Sequence, residues 1–206
     1  GILISAQDVW FENSYINSST FYGLRISTAA KVGIFRNLTF VRNNISLHFL
    51  PTTGALRDHN FTNIFVHNST GPALVFNVNG ISAALDRMNF TNLSVIGTNS
   101  SYPDLQFIAS GTDLQNIRFE DSYFANYSFA DTGGRYFTFE SSLFGKIKFL
   151  DYINGSGINL SADVRIVNNS ATVRNEVNSG LNTTANVTLT GISTNFVNPV
   201  ILKDDV

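Results

Sequence analysis

Residues Ala55–Phe76 read ALRDHNFTNIFVHNSTGPALVF, and they decide the fold. Ile64 and Val66 alternate with their neighbours, which gives a short strand one face of which is apolar. Asn68, Ser69, Thr70 and Gly71 then turn the chain, and a second short strand carries Leu74 and Phe76. The same unit recurs along the sequence. Alternating apolar pairs fall at Val9/Phe11, Leu38/Phe40, Ile64/Val66, Leu93/Val95, Ile117/Phe119, Phe137/Phe139, Val164/Ile166 and Val187/Leu189. A second set trails the first and includes Leu47/Phe49, Leu74/Phe76, Leu105/Phe107 and Ile147/Phe149.

One such unit is too small to bury its own apolar face. Stacking successive units about 4.8 Å apart pairs their backbones and joins the faces into one core. The predicted fold is therefore all-β, a right-handed parallel β-helix of about seven to eight rungs with three short strands per turn. Leu38, Ile64, Leu93 and Ile117 are expected to share one interior column. Glycines such as Gly23, Gly33, Gly71, Gly97, Gly134 and Gly157 are assigned to corners. Asn13, Asn43, Asn68, Asp121 and Asn168 follow marker pairs and are expected to stack as a corner ladder. The alternative architecture is a β-sandwich, pilin-like fold joined by donor-strand exchange.

The chain of 206 residues reads as a single β-solenoid domain, 1–206. Residues 1–11 form a possible docking strand, and 171–206 a less regular C-terminal cap. A net charge of −2 without a basic run argues against nucleic acid as a partner. No apolar run approaches the length of a membrane helix, so no membrane span is expected. There is no cysteine for disulfides or thiolate ligands.

Asparagine carries the main functional signal. Random placement would give about 5 Asn-x-Ser/Thr triplets. The sequence has 14, at Asn17, Asn37, Asn44, Asn60, Asn68, Asn89, Asn92, Asn99, Asn126, Asn154, Asn159, Asn168, Asn182 and Asn186. That excess points to covalently attached N-glycans on a secreted or cell-surface protein. An inward-facing Asn cannot carry a sugar, which puts Asn68 and Asn168 in question, whereas Asn37, Asn60 and Asn89 precede strands.

The rung pattern resembles the right-handed parallel β-helix repeats of the NosD and pectate-lyase-like superfamily. The likeness rests on Gly23–Ser27 (GLRIS), Phe35–Phe40 (FRNLTF), Phe61–Val66 (FTNIFV) and Leu114–Phe119 (LQNIRF). It implies the fold; the clustered aspartates and basic residues of the pectin-cleaving members have no match here. Sequon density without cysteine also resembles archaeal surface glycoproteins, and more loosely thread-like pilus subunits. β-Helix repeats of this kind serve enzymes, adhesins and fibres alike, so the resemblance implies the fold and not one function.

Candidate chemistry is sparse. Glu120 and Glu140 would stack one rung apart at about 5 Å, near the carboxylate separation of a retaining glycosidase, with Arg118 and Arg165 available to neutralise them. His48, His59 and His67 read as surface residues, and no metal-ligand spacing appears. Asp204-Asp205 is an acidic pair that reads as a solvated tail. No catalytic residue, metal or cofactor is assigned. Trp10, Tyr15, Phe21, Tyr22, Phe65, Tyr102, Tyr123, Phe124, Tyr127, Tyr136 and Tyr152 are too many aromatics for the core, so some are expected to face outward towards a subunit or a sugar.

An open solenoid end exposes unpaired backbone. Ile2, Leu3, Ile4, Val9, Trp10 and Phe11 are the expected docking residues for another copy of the chain. The expected function is a structural subunit of an extracellular, N-glycosylated filament or surface layer, joined head to tail. The alternatives are a carbohydrate-binding or adhesive module, with surface glycans as partners, and a polysaccharide-processing enzyme.

Overall fold

The computed structural model describes residues 1–6, 8–27, 32–52, 54–78, 83–108 and 114–192. Asp204-Asp205 and most of the expected terminal packing segment lie outside the described residues. Two parallel sheets face each other across one core. The smaller contains β1 (Ile2–Ile4), β3 (Tyr22–Ile26), β5 (Ile45–Phe49), β8 (Leu74–Asn77), β10 (Leu105–Ile108) and β12 (Tyr127–Gly134), stacked in that order. The larger contains β2 (Val9–Asn17), β4 (Gly33–Val41), β7 (His59–His67), β9 (Ala83–Ile96), β11 (Leu114–Glu120) and β13 (Thr138–Ser141). A short strand, β6 (Gly54–Arg57), pairs with the start of β9. All of these pairings are parallel, so the chain is a β-solenoid of about four turns.

The coil geometry comes from corners set five residues apart. Asp58, Asn63 and Asn68 all have left-handed backbone, with φ of 59°, 56° and 54°. Arg87, Asn92 and Gly97 repeat the series one coil later, and Asn116 and Asp121 continue it. Each such residue bends the strand without ending it. The first and third residues after it point inward, as His59/Phe61 and Ile64/Val66 do, and the second and fourth point outward. Asn and Asp tolerate this conformation better than other L-residues, because their short polar side chains bond locally. Among the sequence-assigned corner glycines, Gly97 alone has positive φ. Gly33 serves a different purpose: a Cβ there would lie 2.4 Å from His59 Nδ1.

The core is a set of registered columns. Phe35, Phe61, Phe90 and Phe119 stack with ring centroids 4.5, 4.7 and 5.1 Å apart. Phe49, Phe76, Phe107 and Phe129 form a second column on the opposing sheet. Phe49 and Phe76 each meet Phe90 edge-on at 5.8 and 5.7 Å, a geometry that aromatic quadrupoles favour. These rings are at most 3% exposed.

Two expectations are corrected. Leu38, Ile64 and Leu93 do share a column, but Ile117 pairs with Met88, one corner earlier. Both bends of a coil carry the same apolar alternation, so the marker slipped by five residues. The expected seven to eight rungs also exceed the turns present, because Val164/Ile166 and Val187/Leu189 are not rungs. β16 (Val164–Val167) forms an antiparallel hairpin with β17 (Ser170–Val173). After β13 the chain reverses. β14 (Gly145–Phe149) runs antiparallel to β13, and β18 (Ala185–Leu189) antiparallel to β14. On the other sheet β15 (Ile153–Gly157) runs antiparallel to β12.

A short helix, α1 (Leu160–Asp163), and a 3-10 turn at Ser179–Leu181 pack Leu160 and Leu181 onto the last coil. They are fastened by a buried network. The Tyr127 hydroxyl donates to Asp163 Oδ2 at 3.0 Å, and Asn178 Nδ2 reaches Tyr127 Oη at 3.2 Å and the Asn154 carbonyl at 3.0 Å.

Candidate functional site

Every one of the 14 sequon asparagines reaches the surface. Ten are exposed, including Asn68 and Asn168, and Asn44, Asn89, Asn126 and Asn154 are half-buried. Among the described residues the two fully buried asparagines, Asn43 and Asn178, belong to no sequon. Asn43 lies inside the coil instead of in a corner ladder. It accepts from the Ser19 amide and donates to the Ile16 carbonyl, each at 3.0 Å.

The corner ladder is built from other residues. Asn37 Nδ2 donates to Asn13 Oδ1, Asn63 to Asn37 and Asn92 to Asn63, at 2.9–3.0 Å. Asp121 occupies the next corner of that column. A second short ladder joins Asn89 Nδ2 to Asn60 Oδ1 at 3.1 Å. Asn37, Asn89 and Asn92 are thus both sequon residues and ladder donors. Sequence reasoning had Asn13 and Asp121 in the ladder but missed Asn37, Asn63 and Asn92; their spacing of 24, 26 and 29 residues was the signal available.

The base of the solenoid is the expected docking surface. β1 pairs with β3 and β2 with β4, so Ile2–Ile4 already belongs to its own sheet on one side. Among the described residues no strand pairs with their outer edges. Phe11 and Val9 are half-buried at the open foot of columns whose higher members, Phe35 and Phe61, are sealed. Leu3 and Trp10 are 58% and 64% exposed. Trp10 donates to Glu12 at 2.8 Å and lies under the Arg36 guanidinium.

Glu120 and Glu140 are registered neighbours, as expected, and one guanidinium holds both. Arg118 reaches Glu140 at 2.8 Å and Glu120 at 3.1 Å, and Thr91 donates to Glu120 at 3.1 Å. The Arg118 hydrogen bond keeps the Glu140 carboxyl below the usual carboxylate range. A glycosidase general acid needs the opposite shift.

His67 faces outward on β7 as expected, but His59 does not. His59 is buried inside the column above Gly33, edge-on to Phe35. His48 is half-buried on β5, and burial, with Arg25 nearby, lowers it to about 4. Among the described residues no group of three His, Cys, Asp or Glu could share a metal ion. None of the described helices is long and apolar enough to cross a membrane.

Of the aromatics expected outside, Phe124 and Tyr127 are in fact buried, under α1 and beside Asp163 respectively. Tyr15, Phe65 and Tyr123 are exposed and fall in one outward column. That column ends at an open cleft of about 390 Å³ between the last coil and the C-terminal hairpin, lined by Tyr123, Asn159, Ser161, Arg165, Thr172 and Arg174. All but Tyr123 come from the stretch 159–174, which the sequence pattern predicts as a rung and its surroundings.

Comparison with known proteins gives no match: no family model, curated protein or solved structure is similar enough to place the chain in a family.

Proposed function

We propose that this chain is a structural subunit of an extracellular, heavily N-glycosylated cell-surface filament or surface layer, joined through its β-edges. The observation that carries the reading is the number of sequons and their exposure. Fourteen sequon asparagines all reach solvent, and among the described residues the buried asparagines, Asn43 and Asn178, lie outside sequons. Turn and ladder residues such as Asn13, Asn63 and Asn169 also reach solvent, so the weight falls on the number of sequons, 14 where about 5 are expected by chance, every one of them open to a glycan. Attached glycans keep a rigid rod soluble and block sideways association. The resemblance of the sequon density to archaeal surface glycoproteins supports the same reading.

The open foot of the core supplies the junction. Unpaired strand edges and half-covered apolar columns associate with other strands unless something covers them. Another copy, stacked on β1 and β2, would extend both sheets.

The test is glycopeptide mapping of native material together with electron microscopy. Mass additions at several of the exposed sites, and fibres or a lattice, are expected. Native protein bare at every sequon would overturn the glycoprotein reading. The double variant Leu3→Lys/Phe11→Lys places charge at the foot and should leave soluble single particles. Polymers unchanged in that variant would overturn the edge junction.

A further inference from the structure

The outward face of the second bend of each coil differs from the rest of the surface. Register places Tyr15, Thr39, Phe65, Ser94 and Tyr123 in one column over four coil-to-coil steps. Aromatic and small polar residues alternate without a break. Tyr15, Phe65 and Tyr123 are 64%, 37% and 47% exposed, so each ring presents area to solvent. The neighbouring outward column is Asn17, Val41, His67 and Ile96. Neither column contains Asp, Glu, Lys or Arg. The outward face of the first bend, by contrast, carries Glu12, Arg36, Arg118, Glu120 and Glu140.

We infer that the Tyr15–Phe65–Tyr123 column is a binding surface for an extended, neutral, β-linked polysaccharide. Three features select this occupant. First, successive coils are about 4.8 Å apart, so aromatics on alternate coils recur every ~10 Å. That is the repeat of a disaccharide in an extended β-1,4-linked chain, which would set every second sugar over a ring and leave the sugars between them above Thr39 and Ser94. Second, pyranose faces are apolar and their edges are hydroxylated; flat aromatic rings flanked by hydroxyls and amides match both. The Asn13–Asn37–Asn63–Asn92 ladder runs along the adjoining corner. Third, neither outward column carries Asp, Glu, Lys or Arg, which favours a neutral polymer along its length. The column runs into the cleft beside Tyr123, where Asn159, Thr172, Arg165 and Arg174 supply hydrogen-bond donors for the end of a bound chain.

This surface is independent of the polymer junction, which lies at the foot of the solenoid. Glycans on Asn17, Asn37 and Asn92 would border the column, so binding is to be measured on the enzymatically deglycosylated full chain as well as on the native one.

The experiment is retention of the protein on microcrystalline chitin and cellulose, with competition by the soluble hexasaccharides of each. Retention of the deglycosylated chain on at least one of them is expected. Each of Tyr15→Ala, Phe65→Ala and Tyr123→Ala should weaken it about tenfold, in line with truncation of a central aromatic anchor. The triple variant should abolish it. Phe21→Ala, exposed but off the column, should leave it unchanged. All three target side chains are at the surface, so circular dichroism and the unfolding midpoint should stay constant. No retention of the wild-type chain in either form would overturn the proposal, as would retention that survives the triple variant. A triple variant that changes the sedimentation coefficient but not retention would assign the face to contact between copies and also overturn it. None of these outcomes alters the glycopeptide map, so the two readings stand or fall separately.

Discussion

The coils from Val9 to Ser141 and the segment from Gly145 to Leu189 draw on the same residue types but pair in opposite senses. In the coils, left-handed corners sit five residues apart along the larger sheet, and each strand lies parallel on its predecessor. Past Tyr136 that series of corners stops; the only later non-glycine residue with positive φ among those described is Asn169, in the turn of a hairpin. Strands there reverse and pair antiparallel. Alternation of apolar residues is common to both regions. What separates them is the corner, so the corner and not the strand dictates the solenoid. The columns of phenylalanine show the same division: they run unbroken from Phe35 to Phe139, and Phe149 meets the last ring edge-on at 6.2 Å.

The largest effect should come from breaking a column in the coils. Phe90 stacks on Phe61 and Phe119 and takes Phe49 and Phe76 on its edges. Phe90→Ala should cost about 3–5 kcal/mol, read from urea unfolding. Next is the fastening of the reversed segment. Asp163→Ala removes the acceptor of the buried Tyr127 hydroxyl and should cost about 1–3 kcal/mol. Hydrogen exchange should then rise in residues 160–189 while Leu38–Val95 stays protected. Equal loosening of both regions would mean that they unfold as one unit.

A smaller effect tests the corner itself. Asn63 is no sequon residue, has φ of 56°, and makes two ladder bonds. Asn63→Ala should cost about 1–2 kcal/mol, because it loses the bonds and strains a left-handed backbone. Asn63→Gly keeps the backbone relaxed and should cost less. The reverse order would show that the side-chain ladder outweighs the conformation.

A pH effect tests the smaller sheet. His48 falls from 6.5 to about 4 on folding, so between those values the unfolded chain holds more protons. Stability should therefore decline as pH drops from 6.5 towards 4 and this contribution should level off below. His48→Gln should flatten that slope in a thermal-melt series.

The fold was legible where a residue's neighbours repeat its chemistry. Leu38/Phe40, Ile64/Val66 and Leu93/Val95 repeat the same alternation, and their stacking was read from it. Register was harder. His59/Phe61 and Ile64/Val66 alternate alike in the two bends, and coil length varies between 20 and 31 residues, so Ile117 fell into the wrong column. The five-residue corner was not read, although Asp58, Asn63 and Asn68 carry it. Arg42 and Arg87 hide it, since arginine has no preference for that backbone and is held there by its neighbours. The sequons were legible as triplets, but their exposure depends on which bend each occupies. The reversal after Ser141 was not legible, because Val164/Ile166 looks the same in a hairpin as in a coil.

The two reversals carry a consequence for how such rods could be concatenated. On the larger sheet the chain turns back twice, so β18 recovers the direction of β2. On the smaller sheet it turns back once, so β15 opposes β1. A unit seated on this end would meet one rail laid with the grain and one against it. Each seam would therefore differ from every step inside a rod, and the assembly would carry a built-in mark at intervals of one molecule.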